Sequence, residues 1–151
     1  MPEENFKVLP NGNIITCAVI IQDRKGKILG CHPTGQKPGE SYSLPKGCAD
    51  KGEEDIVAAL RELKEETGLE LQDQDLVDLG THPYRKGKDI HVYLYKTERL
   101  PFIRDLKCVS CFERNGKLIR EVNGYAGIQD WNKFSKGIQE ILTKLQDKLL
   151  N

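Results

Sequence analysis

Three glutamates, Glu62, Glu65 and Glu66, lie at i, i+3 and i+4 in the run Arg61-Glu62-Leu63-Lys64-Glu65-Glu66-Thr67-Gly68-Leu69. On a helix that spacing projects the carboxylates from one side. Like charges so placed weaken an isolated helix by about a few tenths of a kcal/mol per pair. They also crowd toward the helix C-terminus, where the macrodipole disfavours anions. A cluster set against both rules calls for a compensating cation. Its donors are hard carboxylate oxygens, with no histidine or thiolate, which points to Mg²⁺ or Mn²⁺ rather than zinc.

Three glutamates alone more often describe a solvated acidic face than a site. The flanking residues change that reading. Gly47 permits close approach of backbone to a metal, and Gly52-Glu53 opens the helix with an acid at its favourable end. Arg61 is placed to buttress the carboxylates through charge-assisted hydrogen bonds.

The elements that must position these groups are readable in outline. The helix is expected from about Glu53 to Thr67, with Gly68 as its stop. Ile56, Leu60, Leu63 and Thr67 share a face, with Ala59 beside them, and that stripe should pack on a sheet. Upstream, Asn13 to Gln22 is an apolar, β-branched strand that turns at Asp23–Lys27 into Ile28–Cys31. Pro33 to Glu40 is a Gly- and Pro-rich loop. Downstream, Val77–Tyr84 and Asp89–Thr97 predict a second hairpin turning at Arg85-Lys86-Gly87-Lys88. Leu106–Arg114 and Lys117–Glu121 predict a third, around Asn115-Gly116. Asn132 to Leu150 has Ile138, Ile141, Leu142 and Leu145 at helical spacing and should close the domain. The class is α/β, with a mixed, hairpin-rich sheet between helices.

The 151 residues suit one domain, 1–151, with no repeat or linker. Charged residues make up 30% and hydrophobic ones 38%, and Lys plus Arg balances Asp plus Glu at 23 each. That balance leaves no strong nucleic-acid footprint. The turns Arg24-Lys25-Gly26-Lys27 and Arg85-Lys86-Gly87-Lys88 are local exceptions, and exposed turns of this kind are ordinarily just solvated. No apolar run is long enough for a membrane span, and Met1-Pro2-Glu3-Glu4-Asn5 lacks a signal-peptide pattern, so a cytoplasmic protein is expected. The five cysteines fit a reducing compartment. Cys108 and Cys111 form a CxxC without a second ligand pair, and buried strand cysteines are the expectation there.

Gly47, five residues, Glu53, seven residues, then Arg61 through Leu69 resembles the Nudix box at every defined position. Leu44-Pro45-Lys46 and the flanking strands are also similar to that family. The resemblance implies an α/β/α sandwich whose loop–helix–loop holds divalent cations, and attack of water on phosphorus in a nucleotide derivative. Glu65 and Glu66 would be core metal ligands, with Glu62 a ligand or general base. Gly47 would offer its carbonyl, Arg61 would orient the glutamates, and Glu53 would hold metal-bound water or support the box. Arg120-Glu121-Val122-Asn123-Gly124-Tyr125 resembles the Glu-x-Asp-Gly-aromatic segment of some relatives, with Asn123 in place of Asp. Glu121 is thus the candidate for a further metal-binding carboxylate.

Family subgroups differ roughly fifteen positions beyond the box, a Pro resembling ADP-ribose hydrolases and a Tyr dinucleoside polyphosphate hydrolases. Pro83 and Tyr84 both stand near that point. Lys46 resembles the dinucleoside polyphosphate and decapping branches, and a lysine there would contact an extra phosphate as a point charge. The substrates implied are ADP-ribose and diadenosine polyphosphates such as diadenosine triphosphate, with FAD a further candidate. The alternatives are an RNA 5′-pyrophosphohydrolase, an oxidised nucleoside triphosphate pyrophosphohydrolase, and a nucleotide-sensing module without catalysis. A monomer or homodimer is expected.

Overall fold

The strand β1 (Ile14–Gln22) is buried along almost its whole length, because both of its faces are covered. In this computed structural model, which describes residues 5–149, Ile15, Cys17, Val19 and Ile21 pack into one layer with Ala58, Ala59 and Leu63. Ala18 and Ile20 pack into the other with Ile138, Ile141 and Leu142. The period of two thus divides one apolar run between two helical layers. The result is an α/β/α sandwich.

The sheet order is β4 (Val77–Arg85), β5 (Lys88–Lys96), β1, β2 (Ile28–Pro33) and β8 (Val122–Ile128), with β3 (Lys46–Cys48) also pairing β1. β2 spans Ile28–Pro33 and follows β1 through the expected Asp23–Lys27 turn. β5 (Lys88–Lys96) runs parallel to β1, from Ile14↔Lys88 to Gln22↔Lys96. A parallel neighbour needs a long crossover, and that crossover carries α1 (Asp55–Thr67). β4 (Val77–Arg85) and β5 form the second expected hairpin. The three-residue strand β3 (Lys46–Cys48) places Cys48, Gly47 and Lys46 opposite Thr16, Cys17 and Ala18. It thereby anchors the start of the glutamate-bearing segment to the centre of the sheet.

α1 buries Ala58, Ala59, Leu63, Glu66 and Thr67, with Ile56 packed against the same cluster. Leu60, expected on that face, is only half-buried. Gly68 ends the helix with φ at 81°, and its amide donates to the Lys64 carbonyl, a left-handed cap that glycine adopts without a Cβ penalty.

Three expectations need correction. Only Cys111–Arg114 of the expected strand Leu106–Arg114 is β-structure (β6), paired with β7 (Lys117–Arg120) in a separate ribbon. Residues 106–110 instead form a strap along the C-terminal end of α1. Its amides turn to that helix: Lys107 N–H donates to Thr67 O, and Val109 and Ser110 N–H to Glu65 O. Cys108 is therefore buried but outside any strand, while Cys111 is exposed on β6, and both are free thiols. Second, β8 (Val122–Ile128), absent from the expected elements, adds an edge strand along β2. Third, the closing helix is interrupted. Trp131–Lys133 forms a short 3-10 turn and Phe134 bridges Tyr42 as extended chain, the Tyr42 amide donating to Lys133 O and the Ser135 amide to Tyr42 O, so α2 begins at Lys136, ends at Lys144, and is followed by α3 (Gln146–Leu149). Leu150 lies outside the described residues. Among those described, no helix is long and apolar enough to cross a membrane.

Candidate active site

Arg61 organises the acidic cluster. Its Nε and Nη2 donate to the two Glu53 oxygens at 2.9 and 3.0 Å, its Nη1 to Glu62 Oε2 at 2.9 Å and Glu65 Oε2 at 3.2 Å. Nη2 also donates to the Cys48 carbonyl at 3.2 Å. The planar guanidinium fork can satisfy several acceptors at once, which a lysine ammonium cannot reproduce. These bonds hold Glu53 below the ordinary carboxylate range, and Glu53 in turn accepts the Asp50 amide. Glu53 thus fastens the loop before the helix to the helix itself.

Glu62 and Glu66 are different. Burial raises Glu62 to about 7, with the charges of Glu65 and Glu121 adding to the rise and Arg61 opposing it. Burial likewise raises Glu66 to about 8, reinforced by Glu62 and Glu121 and opposed by Lys46. At both acids burial outweighs the neighbouring cation, Arg61 beside Glu62 and Lys46 beside Glu66. The Glu66 side chain accepts from the Lys46 amide at 3.2 Å, and its main-chain carbonyl accepts from the Tyr125 hydroxyl. With the strap's bonds to Glu65 and Thr67, the last-turn carbonyls beneath the acidic cluster are capped by donors.

A cavity of about 450 Å³ opens beside this cluster, and the sheet brings distant segments to it. Glu62, Glu66 and Glu121 line it, together with Lys46, Gly47 and Tyr84. Glu121 arrives through β7 and the strap, its amide donating to Ser110 O. Glu53 and Glu65 stand behind, on Arg61. Pro83 is exposed and is not among the residues that line the cavity, whereas Tyr84 is. Thr16, Phe6, Arg85 and Lys88 also line it. Of these, Arg85 and Lys88 belong to the turn expected to be merely solvated, and Phe6 had no sequence signal.

The donor chemistry fits a hard divalent cation. Oxygen ligands of raised basicity cluster where acids outnumber the cations beside them, Arg61 and Lys46. Gly47 leaves room for the Glu62 carboxylate at the cavity edge. Among the described residues no three carboxylates already surround a common point as a metal cage; Arg61 gathers Glu53, Glu62 and Glu65 instead.

Comparisons with known proteins agree with this arrangement. A curated relative, a methanol dehydrogenase activator from Bacillus methanolicus, is 43% identical over 64 residues, which is 40% of this chain and 35% of the relative. The match thus spans about a third of that relative's length. An Ap4A hydrolase structure from C. elegans, a binary complex, superposes with a TM-score of 0.62 at 21% identity, covering 89% of this chain and 97% of that one. A bifunctional NMN adenylyltransferase/ADP ribose pyrophosphatase from Francisella tularensis, complexed with AMP and Mn ion, gives 0.61 at 18% identity. That alignment covers 91% of this chain and 42% of the other. At these identities the two structures share the fold. A family model described as the NUDIX domain matches residues 13–105, well over half of the chain. With its box complete, the chain belongs to the NUDIX family of hydrolases.

Proposed function

We propose that this chain is a divalent-metal-dependent pyrophosphohydrolase acting on a nucleoside diphosphate linked to a second moiety. ADP-ribose and diadenosine polyphosphates are the favoured substrates, and FAD is a further one. The observation that carries this reading is the cavity beside α1, where Glu62, Glu66 and Glu121 face Lys46. A phosphoanhydride fits between acids that need a cation and a base that needs an anion.

Glu62, Glu65 and Glu66, with Glu121, would hold Mg²⁺ or Mn²⁺. When bound, the ion neutralises the diphosphate and acidifies water near it. Arg61 keeps Glu53, Glu62 and Glu65 in register through its fork. Where Glu62 is not a ligand, its carboxylate at the cavity edge would take the proton from the attacking water. Water oxygen bonds to phosphorus, and the bridging oxygen leaves with its electron pair on the second fragment. Lys46 contacts a phosphate as a point charge, and the Tyr84 ring flanks the substrate. The AMP and Mn ion bound by the Francisella tularensis structure and the Ap4A hydrolase name of the C. elegans one support this choice.

A screen with Mg²⁺ and Mn²⁺, with products identified by chromatography, tests it. ADP-ribose should yield AMP and ribose 5-phosphate, and diadenosine triphosphate AMP and ADP. Triphosphorylated RNA and an oxidised deoxynucleoside triphosphate should be poor substrates. Strong hydrolysis of either, with none of the linked diphosphates, would replace the proposed substrate. No hydrolysis of any would favour a sensing module.

A further inference from the structure

The turn between β4 and β5 closes on Arg85 and Lys88, which are directly paired across the hairpin. Residues opposite one another on antiparallel strands present their side chains to the same face. Two cations so placed repel, and an unrelieved like-charge pair destabilises a hairpin. Among the described residues no carboxylate lies within ion-pair distance of either one. The neighbouring Asp89 accepts from Asn11 and Asn13 instead.

Both side chains line the cavity that holds Glu62 and Glu66. The Arg85 guanidinium lies 5.2 Å from the centre of the Tyr84 ring, which steadies its plane at the rim. Lys88 is half-buried, and its strand is tied to the start of β1 by the Ile14 amide donating to Gly87 O. The turn is therefore anchored at the mouth of the site.

We infer that Arg85 and Lys88 form a phosphate clamp that selects substrates with three or more linked phosphates over those with two. The inference rests on the pyrophosphohydrolase reading above and ranks its substrates. A metal-bound diphosphate is largely neutralised by the ions that the carboxylates hold. Arg85 and Lys88, which no described carboxylate pairs, are then left without a counterpart at the mouth of the site. A further phosphoryl group supplies the missing charge, and a guanidinium can bind it with two parallel hydrogen bonds. Dinucleoside polyphosphates have such a group. ADP-ribose does not.

The test measures kcat/KM for diadenosine triphosphate and ADP-ribose in the wild type, Arg85→Gln, Lys88→Gln and the double variant. Lys86→Gln, an exposed turn residue outside the cavity, is the control. Diadenosine triphosphate should be preferred by the wild type. Each single substitution should cut that preference by about tenfold, as expected for one charge-assisted contact. Lys86→Gln should leave the preference as it is. A preference unchanged in the double variant, or equal losses on both substrates, overturns the clamp.

A binding arm separates this result from failure of the pyrophosphohydrolase reading. Calorimetric titration with inorganic tripolyphosphate and with pyrophosphate, in Ca²⁺, needs no turnover. The wild type should bind tripolyphosphate more tightly, and the double variant should lose that margin. If no linked nucleotide is hydrolysed yet the margin depends on the turn, the clamp stands without the proposed activity. If the wild type shows no margin, the clamp is wrong whatever the substrate.

Discussion

A Cβ built on Gly47 would lie 2.0 Å from the Glu62 carboxyl carbon and 2.2 Å from its Oε1. The smallest residue of β3 therefore makes the space in which a central acid of α1 rests. Gly47 has an ordinary negative φ, so the requirement is one of room and not of backbone conformation.

Gly47→Ala should consequently leave the fold in place while displacing the Glu62 carboxylate. Turnover should drop by about a hundredfold or more, the cost of misplacing a group at the reacting centre. Thermal unfolding should shift by only a few degrees, on the order of 1–2 kcal/mol. Kinetics and a melting curve on the same preparation check this. Near-wild-type turnover would show that the contact is not functional.

Arg61→Lys preserves charge but loses the fork. Four of the five hydrogen bonds that Arg61 makes run to Glu53, Glu62 and Glu65, and an ammonium cannot serve them together. Activity should fall by about 10- to 100-fold, the usual cost of removing a group that orients metal ligands. The metal concentration for half-maximal activity should rise, which distinguishes lost orientation from simple destabilisation. Titration of activity with Mg²⁺ reads both.

Stability should depend on pH in a direction that metal reverses. Glu62 and Glu66 have folded values of about 7 and about 8 against an ordinary 4.5. A raised carboxyl favours the folded state below its unfolded value, and that advantage disappears as pH rises through the folded values. Without metal, stability should fall between about pH 4.5 and pH 8, by an amount on the order of a few kcal/mol in total, read as a falling melting temperature. Millimolar Mg²⁺ should restore most of it, more strongly at the alkaline end, because the ion competes with the protons. A metal-free protein equally stable at both ends would contradict the assignment of two buried acids whose desolvation outweighs their neighbouring cations.

Glu65→Gln and Glu66→Gln keep shape and remove charge. Both should lose turnover by orders of magnitude at saturating metal. Their stability effects should differ. Metal-free Glu66→Gln should be as stable as the wild type or more so near pH 8, since it removes a buried charge. Glu65 is more exposed and paired with Arg61, so its substitution should change stability little. Melting curves in chelator, beside activity in Mg²⁺, separate the two roles.

The readable parts of this molecule are those in which local pattern and tertiary role coincide. α1 follows from its period and from Gly68, and the Asn115-Gly116 turn from two adjacent residues with positive φ. β8 was hidden because Asn123, Gly124, Ala126 and Gly127 have low strand propensity, and its pairing is imposed by β2. The strap departs from its local pattern for the opposite reason. Leu106, Cys108 and Val109 look strand-like, yet their segment's amides are drawn to the orphan carbonyls of α1. The box glutamates could be named because their spacing lies within the longer Gly47–Leu69 pattern that resembles the Nudix box. Arg85 and Lys88 could not, because only the parallel pairing of β5 with β1 brings their turn to the cavity. Phe6 reaches it through a bridge to Asp50, a contact that no local pattern encodes.

The central claim is that these carboxylates work by holding a divalent ion. Its most direct measurement is hydrolysis of diadenosine triphosphate by protein stripped with EDTA, then resupplied with Mg²⁺ or Mn²⁺ and followed by chromatography of AMP and ADP. Activity should vanish on stripping and return with either ion, and Glu66→Gln should fail to recover. Full activity in the stripped protein would contradict the account.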